Sequence, residues 1–212
     1  IDWTERDVYE WNFDDRPMVE KLMQIDEYRN RFSYYLNYIA SIAMHPDVLN
    51  PHIDAIRELI APAVVDDILH TFDYGYTYDD FYNGFEQNNI DDHTPYGIKN
   101  FIEARDENTL SQVELNNITP IIKYIHHYPL MPSSSDVIEI TAFIEDDAAI
   151  EEVILNWSYN NVDFESTTMY DDGTHWDGVS GDGIYGNLLE SMFHENETLY
   201  YYITASDNAG HM

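Results

Sequence analysis

DEYRNRFSYYLNYIASIAM, residues 26–44, repeats its apolar side chains every three or four positions. Tyr28, Phe32, Tyr35, Leu36, Ile39, Ile42 and Ala43 therefore share one stripe of a 3.6-residue helix, and Asn30, Arg31, Asn37 and Ser41 fall outside it. Asp26 is placed to cap the first turn, Glu27 stands four residues before Arg31, and Pro46 follows the apolar run, so the pattern supplies a start and a stop. Such a stripe needs other elements to cover it, and helical periodicity does continue to about Leu115. From Ile118 onward the period is two.

Upstream, residues 1–16 carry Trp3, Trp11 and Phe13 among acids without a period, which suggests an arm laid across the helical core. Pro17 suits the first turn of a short helix to Ile25, with Met18, Leu22 and Ile25 inward. Downstream, Asn50 as cap and Pro51 as first residue predict a third helix with Ile53, Ile56, Leu59 and Ile60 on its apolar face, kinked or broken at Pro62. Tyr74 to Tyr78 reads as a tyrosine-rich loop, and Thr77 as the cap of a short helix bearing Phe81, Tyr82 and Phe85. Thr94 and Pro95 open a last helix with Ile98, Phe101, Ile102, Arg105, Leu110 and Val113 on one stripe.

In the period-two region, Val137 to Ile144, Val153 to Tyr159 and Leu199 to Thr204 read as strands, with turn chemistry at Ser133 to Ser135. Short strands at such intervals predict an antiparallel β-sandwich of immunoglobulin-like type. Asp207-Asn208-Ala209-Gly210 is a turn that should feed a closing strand, so the sandwich is expected to lack its last one. The fold class that follows is α+β in two domains, all-α over residues 1–117 and an Ig-like sandwich over residues 118–212.

The 212 residues hold 41 Asp plus Glu against 9 Lys plus Arg, a formal net charge of -32. A field of that sign repels phosphate backbones and anionic lipid, which argues against nucleic acid and membrane insertion as partners. No apolar run approaches the roughly 18 to 20 residues that span a bilayer. Absence of Cys removes disulfides, thiolate chemistry and Cys-ligated zinc. The chain opens on Ile1 in a polar, aromatic sequence, the expectation being a piece of a longer protein.

Three segments carry a resemblance. DEYRNRFSYYL at 26–36, DAIRELIAPAVVDD at 54–67 and GIKNFIEAR at 97–105 resemble, in order and spacing, the C-terminal helical portion of the spore-coat protein H (CotH) kinase-like family, over roughly residues 1–115. Members are secreted or surface-associated bacterial proteins with an atypical kinase fold, and some phosphorylate serines of coat proteins. The resemblance implies that the nucleotide-anchoring Lys and the metal-binding Asp residues lie upstream, so ATP and Mg²⁺ belong to the full-length parent. The residues agree: Lys21, Lys99 and Lys123 are the only lysines, and none lies in a Gly-rich turn beside a strand. No catalytic residue is therefore expected within this chain. The second half, through MYDDGTHWDGVSGDGIY at 169–185 and YYYITASDNAG at 200–210, resembles immunoglobulin-like or fibronectin-type modules of secreted bacterial enzymes, which usually have a small residue near Trp176.

Asp171, Asp172, Asp177 and Asp182 stand among Gly173, Gly178, Gly181 and Gly183. Glycines let a loop fold back so that oxygens converge on Ca²⁺, which takes about 6 to 8 of them. The same pattern also makes Asp-Gly turns with solvated carboxylates. Asp66 and His70 at i and i+4 could share a metal or simply face water; the adjacent His126 and His127 point to opposite faces and cannot easily chelate one ion. Arg105 on its apolar stripe suits a carboxylate partner or a stem laid over the core better than a phosphate. The functional expectation is a secreted or cell-surface bacterial kinase-like protein acting on a protein substrate or cell-surface polymer, with an appended spacer or attachment module. The alternative is a non-catalytic, calcium-stabilised adhesion or glycan-binding module, for which the 18 tyrosines are the sequence signal.

Overall fold

The computed structural model describes residues 2–10, 17–69, 75–90, 94–190 and 197–212; Trp11, Phe13, His70 and Tyr74 lie outside the described residues. The chain divides into two compact units, Ile1–Asn116 and Asn117–Met212.

The first unit contains helices α1 (Pro17–Met23), α2 (Asp26–Tyr38), α3 (Pro46–Asp66), α4 (Tyr78–Glu86) and α5 (Ile98–Gln112), and a π-helical turn, Ile39–Ala43, extends α2. The start of α2 differs from expectation: Ile25 occupies the cap position without a side-chain bond, and Asp26 acts as an acid in the first turn. Its burial also differs. The covered residues are the small ones, Ser33 and Ala40, whereas Tyr28, Ile39 and Ile42 remain 43%, 43% and 57% exposed. The cause is what lies against the helix: the Tyr9 hydroxyl bonds Ser33 Oγ at 2.7 Å, and a bulky side chain at position 33 would hold that segment off.

The long helix ends at Ala43, before Pro46 as expected, and Pro46 also opens α3, with His45 Nδ1 accepting the Asp47 N–H. A Pro at the first position loses no intrahelical bond, so Asn50 and Pro51 lie inside the helix, not at its start. Pro62 does not break it either. The helix is continuous to Asp66, and Ala61 beside that Pro is its single buried residue. At α4 the Thr77 cap forms a complete capping box with Asp80. Gly97, not Thr94 or Pro95, caps α5, and its amide bonds Asn88 Oδ1 at 3.0 Å.

The second unit holds six strands: β1 (Ile121–Tyr128), β2 (Val137–Glu145), β3 (Ile150–Ser158), β4 (Glu165–Thr168), β5 (Ile184–Glu190) and β6 (Tyr200–Asp207). They pair antiparallel as two three-stranded sheets, β1-β2-β5 and β4-β3-β6. Ile138, Ile140, Ala142 and Ile144 of β2 alternate inward and join Val153 and Leu155 of β3 and Ile203 and Ala205 of β6 in one buried cluster. The molecule is therefore α+β, helical first and antiparallel second.

Candidate functional site

The helical unit contributes two polar clusters. Lys99 Nζ lies 2.7 Å from Asp54 Oδ1 and 3.0 Å from Glu86 Oε1, and Arg57 Nη1 lies 3.2 and 3.3 Å from the same oxygens. Lys99 holds both carboxyls below their usual range and is itself raised by them. The group spans α3, α4 and α5, and every cation already has a carboxylate, so it acts as an interhelical clamp. Arg105 donates to the carbonyls of Thr4 and Arg6, and Gln112 Oε1 accepts the Val8 N–H at 2.9 Å. Of the two expectations for Arg105, a carboxylate partner or a stem laid over the core, the first is not met: its partners are backbone carbonyls, and it fastens the amino-terminal segment over α5. Around Asp2, Trp3, Tyr96, Ile98 and Phe101 there is an apolar cavity of ≈ 570 Å³, and two of its lining residues are joined by a Tyr96 hydroxyl bond to Asp2 at 2.7 Å.

The acidic loop between β4 and β5 is held by a dense set of hydrogen bonds to its own backbone. Asp177, fully buried, accepts the N–H groups of Asp172, of Gly173 at 2.7 Å and of His175 at 2.8 Å. Burial alone would raise its pKa, but these donors hold it below the usual range. Asp171 accepts from Gly181 and Gly183, at 2.6 and 3.1 Å, and Asp182 from Val179 and Ile184, at 3.0 and 2.9 Å. Asp172 bonds Thr174 and sits 2.9 Å from His175 Nδ1, which with the Thr174 hydroxyl holds it at about 2. Glycines make the arrangement possible. Gly178 has φ +86°, and a Cβ there would stand 2.7 Å from Asp182 Oδ2.

The four carboxylates singled out from the sequence thus share one loop, and each is engaged by that loop's own N–H groups. Among the described residues no group of three or more His, Asp or Glu side chains is arranged to hold a metal ion. Asp66 is described, but His70, its candidate co-ligand, lies outside the described residues. His127 turns to Tyr201, with Nδ1 3.0 Å from the hydroxyl, while His126 is exposed. Calcium is tested directly by thermal melting of the second unit. With the carboxylates committed to N–H donors, the midpoint is expected to stay within about 1 °C on adding millimolar Ca²⁺, whereas a rise of several degrees establishes cation binding.

Of two further features of this unit, the first had no sequence signal, whereas the second, Trp176, stands where the resembled modules usually have a small residue. Asp146, at the end of β2, has both carboxylate oxygens buried without a hydrogen-bond partner. Burial pushes its pKa up to about 6; the nearby N–H groups of Asp147 and Ala148 oppose the shift, and the charges of Asp147 and Asp207 add to it. Trp176, in the acidic loop, has φ 64° and is 61% exposed. A left-handed backbone costs a Trp about 1 kcal/mol that a Gly avoids.

A family model described as CotH kinase protein matches residues 3–109, which contain α1 to α4 and α5 as far as Thr109. No curated protein matches the chain.

Proposed function

The chain belongs to the CotH kinase protein family, and from that premise we propose that its helical unit is the C-terminal helical part of a kinase-like domain. In this reading the β-rich unit is an immunoglobulin-like sandwich that spaces or attaches the domain, in a secreted or surface-displayed bacterial protein. The observation that carries the first part is uncovered apolar surface. Ile42 in the π-helical turn and Ile56, Leu59 and Val65 on α3 are 57%, 56%, 78% and 58% exposed. A helical domain complete in itself buries such residues, whereas a portion of a larger lobe leaves them for the rest of that lobe to cover.

Phosphoryl transfer needs cations and Mg²⁺ at the phosphates. Here Lys99 is neutralised by Asp54 and Glu86, and Lys123 pairs with Glu145. The helical unit is thus support for a nucleotide and metal site formed by upstream residues of the parent. The substrate class in this reading is a protein or cell-surface polymer reached from outside the cell; among the described residues no helix is long and apolar enough to cross a membrane. ATP turnover with Mg²⁺ or Mn²⁺ is the test. The 212-residue chain is expected to show none, and the parent bearing the upstream segment is expected to turn ATP over. Turnover by the short chain that a carboxylate substitution abolishes would overturn the assignment of its role.

A further inference from the structure

We propose that the 171–183 loop displays Trp176 as a stacking platform for an uncharged polysaccharide. Trp176 is disfavoured twice where it stands. Its φ of 64° is a conformation suited to Gly, and the loop already uses Gly at φ 78°, 86°, 82° and 83° at positions 173, 178, 181 and 183. Its indole is 61% exposed, so no core packing compensates. A residue that is both strained and unpacked contributes nothing to folding, and strain of this kind gathers where a ligand is held.

The surroundings define the ligand. Tyr170, 43% exposed, and His175 have ring centroids 4.4 Å apart with their planes tilted by 30°, so the residue next to Trp176 belongs to a second aromatic surface. His175 is fixed through Nδ1 by Asp172, and the Asp172 carboxylate also takes the Thr174 hydroxyl. The carboxylates of Asp171, Asp177 and Asp182 hold the backbone of the loop, so the indole is offered on a rigid mount that loses little freedom on binding. Flat aromatic faces beside hydroxyl and imidazole groups match the C–H face and the hydroxyls of a pyranose. The net charge of -32 repels polyanions, which selects uncharged chains over acidic ones. This inference is independent of the kinase reading, since it concerns only the second unit.

Affinity electrophoresis of the whole chain through gels containing hydroxyethyl cellulose, xylan, polygalacturonate or chitosan tests it, with W176G and Y202A as variants. Tyr202 is 48% exposed on β6, on a different element, and controls for general aromatic stickiness. The expected result is retardation by at least one of the two uncharged polymers and none by polygalacturonate. W176G should weaken that retardation roughly tenfold while its melting midpoint stays level or rises, and Y202A should behave as the parent chain. Any of three results would overturn the proposal: no retardation by either uncharged polymer, undiminished retardation of W176G, or a lowered midpoint in W176G, which would make Trp176 a folding residue. Retardation by chitosan alone, indifferent to W176G, would also overturn it by reducing the effect to bulk charge.

Discussion

Asp177→Ala is expected to lower the melting midpoint of the second unit by roughly 15 °C or more, the largest effect of any single substitution in the acidic loop. The side chain is fully buried, and removing it strands three N–H groups, those of Asp172, Gly173 and His175. An unsatisfied buried donor costs about 1–3 kcal/mol, and water entering the vacated space recovers part of this, leaving a net loss of about 3–5 kcal/mol. That is a large share of the roughly 5–15 kcal/mol that holds a small domain together. Asp177→Asn should be only a partial rescue, because one amide oxygen replaces two carboxylate oxygens and the NH₂ group faces other donors. An independent variant reaches the same contact from the opposite side. A Cβ on Gly186 of β5 would stand 3.2 Å from Asp177 N and 3.3 Å from Asp177 Cβ, and it would collide with the His175 carbonyl. Gly186→Ala should therefore destabilise through the same packing. The measurement is a circular-dichroism melt of each variant with hydrogen exchange read over residues 117–212. A midpoint for Asp177→Ala within 2 °C of the parent would mean that the loop's N–H groups find other partners.

How much of this was readable in the residues depends on whether the pattern had one meaning or two. The alternation of Ile138, Ile140, Ala142 and Ile144 has one meaning, since only a strand puts every second side chain on one face, and all four are buried. β4, with the sequence ESTT, offers no apolar alternation and exists through its pairing with β3, which no local signal announces. Pro46 and Pro51 both suit a first helical turn, and a His cap does not stand out as an Asn cap does, so the sequence pattern points to a start five residues later than the one α3 has. The stripe on α2 marked the apolar face correctly but not which side is covered; that is decided by Tyr9 and Arg29, residues far apart in the pattern. In the acidic loop, Asp among Gly describes a cation cage and a set of N–H-bonded turns equally well. The position of the loop was legible, but the partners of its carboxylates required coordinates. Asp146 had no signal at all, because burial of a residue in the connection from β2 of one sheet to β3 of the other is set by what packs over it.

Asp146→Asn should raise the midpoint of the second unit by about 5–10 °C at pH 7.5 and by nothing at pH 4, a pH-dependent gain that a packing change would not give. The folded state raises this carboxyl from its ordinary value of 3.8 to about 6. Between those values the folded chain binds more protons than the unfolded one, so stability falls as pH rises through the window and the full penalty is present above about pH 6. Two pH units correspond to about 3 kcal/mol at most, and partial solvent access reduces this to about 1–2 kcal/mol. The amide keeps the shape and removes the charge, so the penalty goes with it. Other groups of the same unit run the opposite way. Asp172 is held at about 2 by His175 and Thr174. Asp207, whose burial favours the neutral form, is brought to about 2 by the His211 N–H, the Asn117 amide, the His211 ring and the Ala209 N–H. These depressed carboxyls stabilise the fold above about pH 4, and that contribution is lost as pH falls toward 2. The second unit should accordingly be most stable near pH 4, where Asp172 and Asp207 have lost their protons and Asp146 has only begun to exact its penalty, and should lose stability from there to about pH 6. Melts at half-unit steps from pH 2.5 to 8 locate that maximum. Asp146→Asn should flatten only its alkaline side, and a variant that gains equally at pH 4 and pH 7.5 would show that charge on Asp146 is not what limits the fold.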